Sequence, residues 1–357
     1  MRRVSSSPPV NACSVHELPS LSLAHSPSVA YYHYSVSYCI KCDSAIMVNI
    51  TGKVLRIIPL REVGADENKK VADLIVADAF DYWRVSLWDD KTELADELRE
   101  GDVLRIENAR IVAEKRVYAG KYSDIIRVPT RIDALSRMKP QNLTVLAVAR
   151  PEKGRVCVAG INEHGEWIRP QGIYEADVFS SSGTERFRNL CISKIYVDAW
   201  RGRHPRREDR FFIYGEGVKR ELSEAEKREF LARNVDASVD AVFKNGRSLG
   251  LIKPRILHVY EELASKDKEH ETYIRFNFRD SNGRIYRRWS CRCSAFYKLW
   301  NDFKRRHRFS YSWRIHRYLR KNDTYLAIGL TYTDYGVERL EYGAYPMIVG
   351  VHVVKRG

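Results

Sequence analysis

Residues 71–112 read VADLIVADAFDYWRVSLWDDKTELADELREGDVLRIENARIV, and the fold turns on how this stretch is read. Val71 to Val76 alternates and is rich in β-branched residues, Asp78 to Tyr82 carries turn chemistry, and Trp83 to Trp88 resumes alternation. Trp83, Val85 and Leu87 then share one face, and Arg84, Ser86 and Trp88 share the other. One face is predicted to be core, while the other offers a cation and an indole. From Asp90 to Arg99 the period changes, with Leu94 and Leu98 four apart among charged residues and Thr92 near the start as a cap. Gly101 supplies the C-terminal stop, and Asp102 to Val112 returns to strand through Val103, Ile106, Ile111 and Val112.

Working outward, Ile50 to Ile58 reads as a preceding strand, and Pro59 to Lys70 as a charged loop carrying Arg61, Lys69 and Lys70. Val117 to Val128 reads as a last strand or hairpin around Gly120, with Tyr118 and Tyr122 near its tip. A helix between the third and fourth strands of a small five-stranded barrel is the oligonucleotide/oligosaccharide-binding (OB) arrangement, whose strand faces and loops bind extended polymers. The charged loop would lie where such a barrel closes over a ligand, although charged loops are ordinary on any surface.

Ala77-Asp78, Val85-Ser86-Leu87-Trp88-Asp89, Gly101-Asp102-Val103-Leu104 and Ile106-Glu107-Asn108-Ala109 together resemble the OB domains of the replication protein A and archaeal single-stranded DNA-binding family, over roughly Val48 to Ala134. The resemblance implies that Trp88 stacks on a base. Two features depart from it. Phe80-Asp81 replaces the usual Thr-Gly or Ser-Gly turn, and Arg110 and Glu114 stand where relatives often carry aromatics.

The chain has 357 residues, room for two or three domains of about 100 to 150 residues each. Sixty-one Lys and Arg against 46 Asp and Glu give a net charge of +15, which points to an anionic partner, most commonly nucleic acid. Seven scattered cysteines suit buried small hydrophobes in a reducing compartment better than a disulfide framework. No apolar run approaches the roughly 18 residues of a membrane helix, so no spanning segment is expected.

Residues 1–46 differ from the rest: they are rich in Ser, Pro, His and Tyr, poor in acids and without a sustained period. Met47 stands directly before the first convincing strand, so translation is expected to begin there, or the preceding segment to be unfolded. Cys39 and Cys42 form a CxxC with no second pair at zinc-ribbon spacing, and no metal is assigned to it.

Leu135 to Gln141 reads as a linker. Beyond it, Asn142 to Val148 and Gly154 to Ile161 are predicted strands. The run Arg155-Val156-Cys157-Val158-Ala159-Gly160-Ile161, followed by Gly165-Glu166-Trp167-Ile168-Arg169-Pro170, is similar to the opening of a dual-OB domain in uncharacterised prokaryotic proteins. That similarity implies fold rather than chemistry. Leu190 to Trp200 is another strand, ending at a basic loop with Arg201, Arg203, His204, Arg206, Arg207 and Arg210. Ser223 to Asn234 is predicted to be a helix with a Ser223/Glu226 capping box.

From Leu251 the same order returns: strand to Tyr260, a hairpin of Thr272 to Phe278 and Arg284 to Ser290 around Asn282-Gly283, a helix over Ser294 to Arg306, then strands Thr324 to Thr331 and Tyr345 to Val354. This region is dense in cations, among them Arg287, Arg288, Arg305 and Arg306, and only Asp302 opposes them between Gly283 and Lys321. Tyr286, Trp289, Tyr297, Tyr311, Trp313 and Tyr318 are interleaved with them. Cations can follow phosphates and aromatics can stack on unpaired bases, whereas the alternative is a charged face over an aromatic core.

Catalytic chemistry finds little support. Asp78, Asp81, Asp89 and Asp90 flank one hairpin and sit in turns, where Asp serves local backbone bonding. His307 and His316 near Cys291 and Cys293 match no metal-ligand spacing. No phosphate-binding loop, dinucleotide fingerprint or nucleophile elbow occurs.

The expected protein is all-β with short helices, built as three tandem five-stranded OB barrels over 47–137, 141–250 and 251–357. It is expected to be a cytoplasmic, nucleoid-associated, non-enzymatic protein of replication or repair type that binds single-stranded DNA, without cofactor or metal. Replication or repair proteins are the expected protein partners. The contacts are assigned to Arg56, Lys69, Lys70, Arg84, Arg105 and Arg110 for phosphates and to Trp88, Tyr118 and Tyr122 for bases. Arg287, Arg288, Trp289, Arg305 and Arg306 complete the set in the last barrel. Two other readings stay open, an RNA-binding or RNA-processing factor and an adaptor that holds protein partners.

Overall fold

In the computed structural model the described residues are 46–63, 69–152, 154–180, 182–200, 206–263, 272–331 and 340–356. Cys39, Cys42 and the loop arginines Arg201 and Arg203 with His204 lie outside them. Strand β1 (Met47–Val63) is long enough to serve two neighbours. Met47 to Lys53 pairs with β4 (Val103–Ala113), and Lys53 to Val63 pairs with β2 (Lys69–Ala77). Gly52 sits at the crossing, where a Cβ would lie 2.7 Å from Val76 and 2.9 Å from the Ala77 carbonyl oxygen.

Strand β3 (Tyr82–Trp88) runs antiparallel to β2 and parallel to β5 (Arg116–Ala119), which is antiparallel to β4. The ring therefore closes in the order β1-β2-β3-β5-β4-β1. Between β3 and β4 lie a 3-10 turn (Asp89–Glu93) and the single-turn helix α1 (Leu94–Glu97), and Gly101 takes a φ of 103° at the stop. Strand β6 (Asp124–Arg127) continues β5 along β4 beyond a break at 120–123. Val54, Leu74, Val85, Leu87, Leu104, Ile106 and Val117 fill the barrel.

The second barrel repeats this order. Strands β7 (Gln141–Glu152), β8 (Arg155–Asn162), β9 (Trp167–Gln171), β10 (Cys191–Ala199) and β11 (Asp209–Glu221) close as β7-β8-β9-β11-β10, with β9 parallel to β11. A 3-10 turn at Glu175–Val178 takes the helix position. Helix α2 (Glu224–Arg233) carries the expected capping box, Ser223 accepting from the Glu226 amide and Glu226 from the Ser223 amide. Helix α3 (Val239–Phe243) follows it.

In the third barrel the first strand is split. Strand β12 (Leu249–Ile252) pairs with β16 (Asp323–Leu330), and β13 (Arg255–Leu263) pairs with β14 (Thr272–Arg279). These are the two pairings that β1 makes alone, divided here at Lys253-Pro254, where proline has no amide to give a ladder. Strand β15 (Ile285–Cys291) runs parallel to β17 (Pro346–Val354), which pairs with β16. Two helices, α4 (Ser294–His307) and α5 (Tyr311–Lys321), fill the place between third and fourth strands, where one helix was predicted. The protein is thus mostly strand with short helices, in three OB-type arrangements.

Adjacent barrels share buried contacts. Leu55, Ile58, Ile75 and Tyr82 of the first pack with Tyr196 and Ile213 of the second. Between the second and third, the imidazole Nε2 of buried His352 lies 2.9 Å from the Leu146 carbonyl oxygen. No helix of the described residues is long and apolar enough to cross a membrane.

Candidate nucleic-acid interface

Strand register builds the outer face of the first barrel. Asp73 pairs with Ser86, Ser86 with Tyr118, Tyr118 with Arg110 and Arg110 with Met47, so one row crosses the strands β2, β3, β5, β4 and β1. With a side-chain period of two, Arg84 and Trp88 flank Ser86 on the same face, and Arg116 pairs with Arg84. At the Arg84 end this face runs toward Ile75 and Ala77, which the second barrel covers; at the Trp88 end it is open.

The open end is a groove of about 530 Å³ lined by Lys69, Trp88, Arg110, Tyr118 and Tyr122 among others. The Trp88 and Tyr118 rings lie 5.4 Å apart between centroids, tilted by 57°. Trp88 is half-buried, and its indole N–H finds no acceptor among the described residues. Tyr122 is 81 % exposed because the break at 120–123 pushes it out of the sheet. That break is pinned: Ser123 donates its hydroxyl to the Asn108 carbonyl at 2.9 Å, and Asn108 takes a φ of 56°. Lys69, Lys70 and Arg110 are exposed, with no ion pair among the described residues.

Beside the groove, Asp73 is fully buried and ion-pairs with Arg61 at 2.5 Å and Arg84 at 2.7 Å, while Ser86 donates to it at 2.5 Å. Burial opposes ionisation of Asp73, but the charge and hydrogen bond of Arg84, the Ser86 hydroxyl and Arg61 together hold its carboxyl below the usual range. Arg84 is therefore on the predicted face but largely neutralised. Arg105 is half-exposed and pairs with Glu107 at 3.1 Å.

Arg56 requires a correction. It is 1 % exposed, its Nε and Nη2 donate to the Asp177 carboxylate at 2.7 and 2.6 Å, and its Nη1 donates to the Phe212 carbonyl at 2.6 Å. A register shift between Val54 and Arg56 turns it, with Leu55, toward the second barrel. Its charge is satisfied there and no phosphate can reach it.

Trp289 is corrected likewise. It is 7 % exposed, stacked near Phe243 and edge-on to Phe278 and Tyr286 in the third core. Arg288 adopts a φ of 58°, a bulge that leaves Arg287 and Arg288 both exposed and returns Trp289 inward. Arg288 pairs with Glu262 at 2.5 Å and Arg305 with Asp302 at 3.0 Å, whereas Arg287 and Arg306 have no ion pair among the described residues. Of the aromatics interleaved with this charge, Tyr286 is buried, Tyr297, Tyr311 and Tyr318 are half-buried, and Trp313 is 58 % exposed.

Lys121 and Arg116 line the face without having been singled out. Lys121 Nζ lies 5.8 Å from the Tyr122 ring and the Arg116 guanidinium 5.6 Å from that of Tyr118. Alternation with Tyr118 would have placed Arg116 there. The turn aspartate Asp78 accepts from the Phe80 and Asp81 amides at 2.8 Å, the local bonding its position suggested. Among the described residues no group of three or more His, Cys, Asp or Glu could hold a metal ion.

No family model matches the chain, and no curated protein matches it. Among solved structures it is similar to a replication factor A related protein from Methanobacterium thermoautotrophicum, at 27 % identity and a TM-score of 0.21 over 25 % of this chain and 86 % of that one. An OB domain from Thermoplasma acidophilum matches at 27 % identity and a TM-score of 0.20, covering 24 % of this chain and 78 % of that one. A replication protein A heterotrimer bound to single-stranded DNA matches at 9 % identity and a TM-score of 0.26, covering 87 % and 94 %.

Proposed function

We propose that the chain binds single-stranded nucleic acid, DNA in the first instance, on the open outer face of its first barrel, without catalysing a reaction. The observation that carries this reading is the Trp88–Tyr118 pair, set in a groove beside Lys69 and Arg110, whose charges have no carboxylate partner among the described residues. Aromatic faces accept any base at about 1–3 kcal/mol per stacked base, and cations follow the backbone, so binding tolerates sequence. Tyr122 and Lys121 extend the surface along the projecting break. A role in replication or repair, in the cytoplasm with the nucleoid and beside replication or repair proteins, accords with such binding.

The test is fluorescence anisotropy of labelled single-stranded DNA and matched RNA against the full chain at several salt concentrations. Binding should fall with salt at a slope of about 0.7 per phosphate neutralised on a single strand. A consistent preference for RNA would move the assignment to RNA processing, because only the 2′-hydroxyl separates the two polymers. Absence of binding to both would leave the adaptor reading.

A further inference from the structure

Among the described residues, a dense block of unneutralised charge lies on the helical arm of the third barrel. Helix α5 buries Ile315 and Leu319, four apart, and turns Trp313, Arg314, Arg317, Arg320 and Lys321 to solvent. It contains no acidic residue. Arg306 and Arg308, at and beyond the end of α4, are exposed as well, and Phe309 between the helices is 100 % exposed. Several other surface cations do find carboxylates: Lys304 meets Glu261 at 2.9 Å, Lys227 meets Glu221 at 2.8 Å and Arg284 meets Glu341 at 2.7 Å. Arg306, Arg308, Arg314, Arg317, Arg320 and Lys321 make no ion pair among the described residues. Cations in a last helical turn are favoured by the helix dipole, which accounts for Arg306, Arg320 and Lys321. It does not account for Arg314 and Arg317 in the body of α5.

A shallow hollow on this arm is lined by Trp313, His316, Arg317, Arg320 and Lys321. The Arg317 guanidinium lies 5.2 Å from the Trp313 ring centroid, so one face of the exposed indole is already occupied. The His316 Nε2 is buried with no partner among the described residues, and its imidazole is held toward the neutral form by burial, by Arg320 and by His258. Phe309 and Trp313 are the exposed aromatics of this arm, and Trp313 shares one face with Arg317, so exposed cations outnumber the faces on which an unstacked single strand would rest. What remains is a rigid helix about 16 Å long, at 1.5 Å per residue, with cations at Arg317, Arg320 and Lys321, along one side. Fixed cations on a rigid element suit a fixed ladder of phosphates, and a duplex supplies one.

We infer that helix α5 and the end of α4 form a second nucleic-acid surface, which binds the phosphate backbone of a double helix, separate from the single-strand groove of the first barrel. Together the two surfaces fit a nucleic acid that carries both a single-stranded and a double-stranded part. The inference uses residues that the groove reading does not, so either can fail alone.

The experiment compares the full chain with the Arg317→Glu/Arg320→Glu variant, titrating a labelled 20-base-pair DNA duplex and a labelled single strand separately, with circular dichroism and a melting curve to check folding. The expected result is a loss of at least about tenfold in duplex affinity, with single-strand affinity within about twofold of the unaltered chain. An Arg317→Gln/Arg320→Gln variant, which removes charge without reversing it, should flatten the duplex salt dependence by about 0.9 per lost contact and keeps the test open if charge reversal unfolds the arm. The inference is overturned if the unaltered chain binds the single strand but not the duplex, if duplex affinity and salt slope are unchanged, or if both polymers are lost equally, which would mean one shared surface.

Discussion

Arg56 of the first barrel and Asp177 of the second form a buried two-point ion pair, Nε to Oδ1 at 2.7 Å and Nη2 to Oδ2 at 2.6 Å, with the guanidinium 4.4 Å from the Phe212 ring centroid. Removing one partner leaves the other charge buried without its counter-ion, which costs about 3–5 kcal/mol. Arg56→Met should therefore lower the unfolding free energy in urea by that order. Arg56→Met combined with Asp177→Leu should recover much of the loss, since a well-packed apolar pair replaces a buried ionic one at little cost. A single variant of unchanged stability but weakened DNA binding would make Arg56 a phosphate contact after all.

Gly350 of β17 lies against the second barrel, where a Cβ would stand 2.0 Å from the Leu146 carbonyl oxygen. Backbone cannot swing away as a flexible side chain can. Gly350→Ala should cost at least about 1–3 kcal/mol and lower the melting temperature, while Gly343→Ala, whose Cβ would meet nothing within 4 Å, bears only the strain of its φ of 66°.

His352 reports the same interface through pH. Burial pushes its imidazole down to about 4 from 6.5, despite the bond to the Leu146 carbonyl. Because the folded value is the lower one, the stability held by the neutral ring is complete above about pH 6.5 and is lost as pH falls toward 4, by about 3 kcal/mol at most. Melting curves from pH 7 to 4.5 should show this decline, and His352→Gln should flatten it. Asp73 acts in another window: its carboxyl is held below 3.8, so its contribution is intact above that pH and lost only beneath it.

Asp73→Asn should reduce stability while leaving Arg61 and Arg84 without their shared counter-ion beside the groove. Single-strand affinity at low salt should then rise, and its salt dependence should steepen. Anisotropy across a salt series checks both. An unchanged salt slope would place these arginines off the path of the bound strand.

Much of the architecture was legible in residues 71–112, since alternation in Trp83 to Trp88, the period change at Leu94 and Leu98, and the stop at Gly101 each match an element. The recurrence after Leu251 was legible for the same reason. Irregular places defeated period-two reading. A bulge before Arg56 put Leu55 and Arg56 toward one neighbour, and the bulge at Arg288 exposed two consecutive arginines and buried Trp289. The apolar residues on both faces of Val54 to Ile58 are the signal that would have marked a strand covered on two sides. Helix α5 went unread because its charge outweighed the spacing of Ile315 and Leu319. Trp88 and Tyr118 converge through the parallel pairing of β3 with β5, a long-range register that local pattern does not carry.

The most direct test of the account is the single-strand affinity of Trp88→Ala, measured by anisotropy beside the unaltered chain at one moderate salt concentration. The groove reading predicts a loss of at least about 1 kcal/mol, roughly fivefold, with the fold intact by circular dichroism. An affinity equal to that of the unaltered chain would contradict it and leave charge alone to account for binding.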